Sequence, residues 1–212
     1  DLEVLNDEIT PRKVSNIYYF LVKNQNIFEE GHKADFTTII QILRKNSIHL
    51  INEMNDQELA NLIYCSKQLK DMELLKENHE LIIKKSQKMS LRSFSVILHC
   101  YADNNNFDQQ TQELFGLTLQ SNINRLKELK ELDFSTILFF VCKANLTQKT
   151  KEQLLSILVP MIPRHVNKMN SKGFSSLCFS LSNVDKRYFN DGIFEFVENV
   201  FKEKIQFHLN SM

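Results

Sequence analysis

A short pattern that recurs five times limits the possible folds of this chain more than any other feature of its sequence. Its first column is a large apolar residue, its second Ser or Ala, its fourth Ile or Leu, and its sixth an aromatic residue or His. The five copies begin at Val14, Leu59, Phe94, Phe134 and Phe174, which are 45, 35, 40 and 40 residues apart. A fixed period in the range of about 20 to 50 residues is the signature of a repeat architecture.

A second pattern closes each unit with two polar residues followed by Met or Leu. The closing residues are 35, 40, 40 and 43 apart, in step with the first pattern, and they are Met54, Met89, Leu129, Met169 and Met212. Two independent anchors with matching spacing predict one array over residues 1–212. Its five units are predicted at about 10–54, 55–89, 90–129, 130–169 and 170–212.

Each unit is predicted to contain two helices. In the first helix, columns one, four, five and eight follow the i, i+3, i+4, i+7 spacing of one apolar face. Columns two and six are four residues apart and predict a second buried face, where Ser or Ala admits a neighbouring helix and the aromatic residue fills the space beside it. A helix with two buried faces belongs in a stack. The sequence therefore predicts an all-α fold, an α-solenoid of five helix–turn–helix repeats of about 40 residues.

The composition and several local signals agree with helices. Gly occurs 4 times and Pro 3 times, whereas typical usage of about 7% and 5% would give about 15 and 11. Sheets and Gly-rich phosphate loops need more turn residues, which excludes sandwich, barrel, Rossmann and P-loop folds. Asn55 and Glu58 predict a capping box, and Pro160 predicts a break in the second helix of the fourth unit. Residues 29–32 are interpreted as a loop insertion.

The sequence contains no motif for catalysis, for a metal or for a cofactor, so we predict a protein that is not an enzyme. Cys65, Cys100, Cys142 and Cys178 fall in different columns, which favours buried thiols over a shared metal site. His99 occupies the aromatic column and is interpreted as a packed core histidine. No apolar run approaches the length of about 20 residues that a membrane span needs.

Polar residues occupy columns three and ten of the first helix and line one face of it. Column three consists of Asn16, Asn61, Val96, Thr136 and Ser176, and column ten consists of Lys23, Gln68, Asp103, Lys143 and Asn183. Two interpretations stay open, a solvated face and a ladder that reads one RNA base per repeat. The formal net charge of +0 weighs against RNA, because neutralising phosphates normally needs an excess of Lys and Arg.

Helix pairs that open with Phe-Ser-x-Ile-Leu and close with Met or Leu resemble the repeats of organellar RNA-associated proteins. These are the octotricopeptide and heptatricopeptide repeats and the arrays of FAST-kinase-domain and RAP-domain proteins. The resemblance implies a helical-repeat subunit in the mitochondrial matrix that binds or supports ribosomal RNA within the mitochondrial ribosome. The octotricopeptide signature Pro-Pro-Pro-Glu-Trp is absent, so no base-coding positions are carried over.

The expected contacts follow from the polar face and this resemblance. The expected RNA-binding residues are Lys13, Asn16, Lys23, Asn61, Lys67, Arg92, Thr136, Lys143 and Lys172. The alternative is a protein-only scaffold, such as an accessory subunit of a respiratory assembly. The last helix carries more apolar residues than one face needs. It is expected to dock on a partner or on missing chain through Phe194, Val197, Phe201 and Ile205.

Overall fold

The computed structural model describes residues 9–31, 33–102, 106–188 and 191–210. Within these ranges all regular structure is helical, with thirteen α-helices, three short 3-10 helices and no strand. This confirms the all-α prediction. The chain falls into two compact units, residues 1–100 and residues 101–212. The single continuous solenoid that the repeat predicts stays a prediction.

The helices of the first unit follow the two anchors of the sequence pattern. They are α1 (Pro11–Lys23), α2 (Gln25–Gly31), α3 (Lys33–Leu50), α4 (Asp56–Gln68), α5 (Met72–Glu77), α6 (His79–Ser86) and α7 (Leu91–Tyr101), whose last residue belongs to the second unit. The predicted first helices of the first three repeats are α1, α4 and α7. Residues 29–31 end α2 rather than form the expected loop, so that interpretation is wrong; His32 lies outside the described residues.

The second unit continues the same alternation. Its helices are α8 (Gln109–Ser121), α9 (Glu131–Lys143), α10 (Gln148–Leu158), α11 (Ile162–Val166), α12 (Ser171–Leu181) and α13 (Asp191–Asn210), with 3-10 helices at Ile123–Glu128, Val159–Met161 and Lys186–Tyr188. The first helices of the last two repeats are α9 and α12. The predicted break at Pro160 is confirmed, since a 3-10 turn separates α10 from α11 there, and Pro lacks the backbone N–H of a helical bond.

Side-chain caps begin several of these helices. Thr10 accepts a hydrogen bond from the backbone N–H of Lys13 at 3.3 Å, and Pro11 takes the first helical position. The predicted capping box is confirmed: Asn55 Oδ1 accepts from the Glu58 N–H at 3.0 Å, and Glu58 Oε2 accepts from the Asn55 N–H at 3.0 Å. Each such cap stabilises its helix by about 0.5–2 kcal/mol.

The apolar columns of the first helices form the cores of the two units. The residues expected to be buried are 0–7% exposed, and they are Phe94, Ile97, Leu98, Phe134, Ile137, Leu138, Phe174 and Leu177. Burying a side chain of this size contributes roughly 1.5–3 kcal/mol. This confirms the prediction that columns one, four and five face the interior.

Small residues in column two allow close helix contacts. Ser15, Ala60, Ser95 and Ser135 are 0–4% exposed, and α1 packs along α4 while α9 packs along α12. A Cβ atom added to Gly173 on α12 would lie 3.6 Å from Ser135 Oγ on α9. Column two of α12 departs from this pattern, because Ser175 is exposed.

A basic residue from one repeat ties down the closing turn of the repeat before it. Lys85 Nζ on α6 donates to the carbonyl oxygens of Ile51, Asn52 and Met54 at 2.9, 2.7 and 2.8 Å. In the second unit an Arg164 guanidinium nitrogen donates to the Lys127 carbonyl oxygen at 3.0 Å. Carbonyl groups near a helix C-terminus have no intrahelical partner, so these cations satisfy them and complement the helix dipole.

Candidate nucleic-acid interface

The aromatic residues of column six lie at the surface, contrary to the sequence-based expectation. Tyr19, Tyr64 and Phe179 are 50%, 39% and 48% exposed, Phe139 is half-buried, and His99 is exposed. The prediction of a second buried face that includes column six was therefore wrong, as was the interpretation of His99 as a core histidine. Successive helical residues are about 100° apart, so column six lies about 40° beyond column two, on the side away from the core.

Within each unit, columns three, six and ten lie on one side of the first helices, and we name this surface the aromatic–polar strip of that unit. In the first unit the strip consists of Asn16, Tyr19 and Lys23 on α1 and Asn61, Tyr64 and Gln68 on α4, all exposed. In the second unit it consists of Thr136, Phe139 and Lys143 on α9 and of Ser176, Phe179 and Asn183 on or just after α12. The polar ladder that the sequence predicts is therefore interleaved with aromatic rings.

The same cation–aromatic contact occurs in both units. Lys23 Nζ lies 5.5 Å from the centroid of the Tyr19 ring, and Lys143 Nζ lies 5.4 Å from the centroid of the Phe139 ring. Both pairs join column six to column ten. The Phe139 and Phe179 rings have centroids 5.3 Å apart, so α9 and α12 place their column-six rings side by side.

The first helices carry few carboxylates on this face. The segments α1, α7 and α12 contain basic residues and no Asp or Glu. On α4, Asp56 Oδ2 accepts from the Ser90 N–H at 2.7 Å, and Glu58 belongs to the capping box. On α9, Asp133 is 4% exposed. The first helices thus carry more Lys and Arg than Asp and Glu, although Glu131 also lies in the first turn of α9 and the whole chain is neutral.

The structure brings most of the expected RNA-binding residues onto or beside this strip. Asn16, Lys23, Asn61, Thr136 and Lys143 belong to it, whereas Lys13, Arg92 and Lys172 are exposed in the first turns of α1, α7 and α12.

Two expected residues also bond internally. Lys67 Nζ donates to the His99 carbonyl oxygen at 3.2 Å, and Thr136 Oγ1 donates to the Leu132 carbonyl oxygen at 2.8 Å. Asp103 lies outside the described residues.

Sequence reasoning missed the surface position of the aromatic residues of the strip, of which three are exposed and Phe139 is half-buried. Tyr19, Tyr64, Phe139 and Phe179 were assigned to packing because they are large and apolar. Their position in the helical rotation, about 40° from the polar column ten and about 60° from the polar column three, was the signal that could have placed them at the surface.

Half of the expected partner-docking residues pack within the second unit. Val197 is 8% exposed, and the Phe201 ring centroid lies 4.9 Å from that of Phe174. The helix that carries them, α13, packs against α11. Phe194 and Ile205 have side chains outside the described part of the structure.

The sequence predicts four buried thiols, and three of the four cysteines are buried. Cys65, Cys100 and Cys142 are buried, and burial raises the pKa of their thiols to about 11, about 12 and about 12. Such thiols are protonated and unreactive at neutral pH. Among the described residues, no three His, Cys, Asp or Glu side chains lie close enough together to hold a metal ion.

None of the described helices combines the length and the apolar character needed to cross a membrane. Compared with models of protein families, with curated proteins and with solved structures, the chain shows no significant match. Over the described residues the chain is all-helical, and α1, α4, α9 and α12 carry the aromatic–polar strip.

Proposed function

We propose that this chain is a non-catalytic helical-repeat protein that binds single-stranded RNA along the aromatic–polar strip. Following the family resemblance, we place it in the mitochondrial matrix as a subunit of an RNA-rich assembly, the mitochondrial ribosome, where it holds ribosomal RNA. The observation that carries the proposal is the exposure of column-six rings beside Lys, Asn and Thr side chains on successive first helices.

Exposed rings at a regular spacing suit unpaired bases. An aromatic side chain stacks on any base and contributes about 1–3 kcal/mol per base. In the second unit the two neighbouring rings, Phe139 and Phe179, offer one such platform on each of two packed helices. Asn and Thr side chains next to the rings can hydrogen-bond to base edges and to ribose hydroxyl groups, which distinguish RNA from DNA.

The cations beside the rings suit the phosphate backbone. Lys23 and Lys143 lie one helical turn beyond Tyr19 and Phe139 and are exposed. An ammonium group in this position can contact the phosphate of a nucleotide whose base stacks on the neighbouring aromatic ring. The two carboxylates of α4 lie in its first turn, where they accept backbone hydrogen bonds, and not beside Tyr64 and Gln68 near its other end.

A protein-only scaffold, such as an accessory subunit of a respiratory assembly, is the second candidate. Two large apolar side chains on the first unit favour it, because Phe20 and Ile27 are 55% and 66% exposed. Exposed aromatic and aliphatic residues are typical of protein interfaces as well as of RNA platforms. The charge reversal described next separates the two candidates.

Replacing Lys23 and Lys143 together by Glu tests RNA binding. Affinity for a single-stranded RNA of about 15 nucleotides should fall at least about tenfold, since two phosphate contacts become repulsive. Fluorescence anisotropy measures the affinity, and circular dichroism checks that the helical spectrum is unchanged. The matched control reverses Lys84 and Lys149, which are also exposed but lie on second helices, and should bind as the parent chain does. Equal binding by both double variants would contradict the proposal and favour the scaffold.

A further inference from the structure

A polar groove lies between α4 and α7 in the first unit. Its volume is about 700 Å³, and its walls include Gln57, Ala60 and Asn61 from α4 and Arg92, Ser93 and Val96 from α7. Asn61 and Val96 occupy column three of their repeats, so the groove opens onto the aromatic–polar strip. Its volume is within the range of about 300–1,000 Å³ that is typical of small-ligand sites.

The groove contains hydrogen-bonding groups that the protein itself leaves unused. Within the described part of the chain, the side chains of Gln57 and Asn61 make no hydrogen bond, and neither does Ser93 Oγ. Ser93 is only 7% exposed. Gln57 and Asn61 are exposed, so their amide groups can exchange hydrogen bonds to water for hydrogen bonds to a ligand without breaking any bond within the protein.

The corresponding junction in the second unit has no such room at column two. Ser135 on α9 faces Gly173 across 3.6 Å, measured from its Oγ to an added Cβ, and Ser176 Oγ donates to the Ser135 carbonyl oxygen at 3.5 Å. Ala60, the counterpart of Ser135 on α4, instead lines the groove. The α4–α7 junction is therefore open where the α9–α12 junction is closed.

We propose that the groove receives one unpaired nucleobase of the bound RNA and that the chain reads sequence at this junction rather than at every repeat. The inference rests on the proposed function and specifies where its base selectivity lies. The α9–α12 junction, where Ser135 and Gly173 approach closely, offers stacking on Phe139 and Phe179. The α4–α7 junction adds a pocket to the exposed ring of Tyr64.

The chemistry of the groove suits a base edge. The amide groups of Asn61 and Gln57 can each donate and accept, which matches the paired donors and acceptors of a base. Ala60 and Val96 supply apolar contacts for the ring, and the exposed Arg92 supplies a cation for the adjoining phosphate. Tyr64, one turn beyond Asn61 on α4, can stack on the next base and keep the strand unpaired.

The test uses the full chain and an RNA of eight uridines in which one central position is varied. That position is A, C, G, U or an abasic ribose, and anisotropy gives the affinity for each. The parent chain should prefer one base by about fivefold or more over the others, as a pair of hydrogen bonds to a base edge allows. Asn61→Ala should reduce the spread among bases to about twofold or less, while affinity for the abasic RNA stays the same.

The matched control is Gln110→Ala, which removes an exposed side-chain amide from the second helix α8, outside the strip. It should keep the preference of the parent chain. Val96→Phe, which fills the groove, should abolish the preference among bases. An unchanged helical spectrum would show that this loss does not result from unfolding.

Two results overturn the inference and can be told apart. If the parent chain binds all five RNAs equally, or if Gln110→Ala abolishes a preference as completely as Asn61→Ala does, the groove does not read a base, but RNA binding stands. If the parent chain binds none of the RNAs, the proposed function and this inference fail together.

Discussion

A single buried histidine shows how burial without hydrogen bonds makes this protein sensitive to pH. His165 is 2% exposed, its ring is stacked on Phe134 with centroids 4.4 Å apart, and neither ring nitrogen has a hydrogen-bond partner. Burial lowers the pKa of His165, the positive charges of Arg164 and Lys168 lower it further, and Glu131 opposes the shift. The neutral ring is therefore favoured in the folded state.

The free energy of unfolding should decrease as the pH falls below the ordinary pKa of histidine. In the unfolded chain the imidazole has its ordinary pKa of about 6.5, so the unfolded state binds more protons than the folded state as the pH falls below that value. Stability is then full above about pH 6.5 and decreases towards the lower folded pKa. We expect a lower melting temperature at pH 5.5 than at pH 7.5, by roughly 2–4 °C per kcal/mol lost.

His165→Phe should reduce this pH difference, because it keeps the stacked ring and removes the titrating group. His79→Phe is the control, since His79 is only half-buried and its Nδ1 lies 2.7 Å from the Lys76 carbonyl oxygen. Melting followed by circular dichroism at both pH values gives the comparison. An unchanged pH difference in His165→Phe would contradict the assignment.

At the scale of the helices, column two decides how closely first helices approach. Ser135 is 0% exposed and lies against α12, so Ser135→Leu should cost roughly 1–3 kcal/mol in the free energy of unfolding through overpacking. Ser175→Leu is the matched control in the same column of α12, and because Ser175 is exposed it should cost within about 0.5 kcal/mol. Urea denaturation measures both, and equal costs would show that column two does not set the helix approach.

The sequence could predict the helices better than their environment. Apolar spacing located all five first helices, and the missing N–H of Pro160 located the break between α10 and α11. The prediction of burial failed for residues whose side chain is aromatic but whose position on the helix faces away from the core. Tyr64 is aromatic, which suggests burial, but its rotation about α4 places it among polar columns. The α4–α7 groove was beyond prediction, since the distance between two helices depends on all their contacts and not on either sequence alone.

At the scale of the whole molecule, neutrality limits how RNA can be held. The chain has 26 basic and 26 acidic residues, so few phosphates can be neutralised and stacking must supply much of the affinity. The slope of log affinity against log salt should lie between about −2 and −4, at near 0.7 per phosphate contact with a single strand. Anisotropy titrations between 50 and 300 mM KCl, on the order of the range used for such slopes, measure it. A slope steeper than about −6 would indicate a backbone-dominated contact and would contradict a stacking mechanism.

The cations that reach back to the preceding repeat also determine where such a chain can be cut or lengthened. Without Lys85, the carbonyl groups of Ile51, Asn52 and Met54 lose three donors that lie 31 to 34 residues further along the chain. A fragment that ends at Met54 therefore has a last turn that only water can satisfy. At these two places a gene duplication would preserve the contact only if it copied the closing turn together with the later segment that carries Lys85 or Arg164.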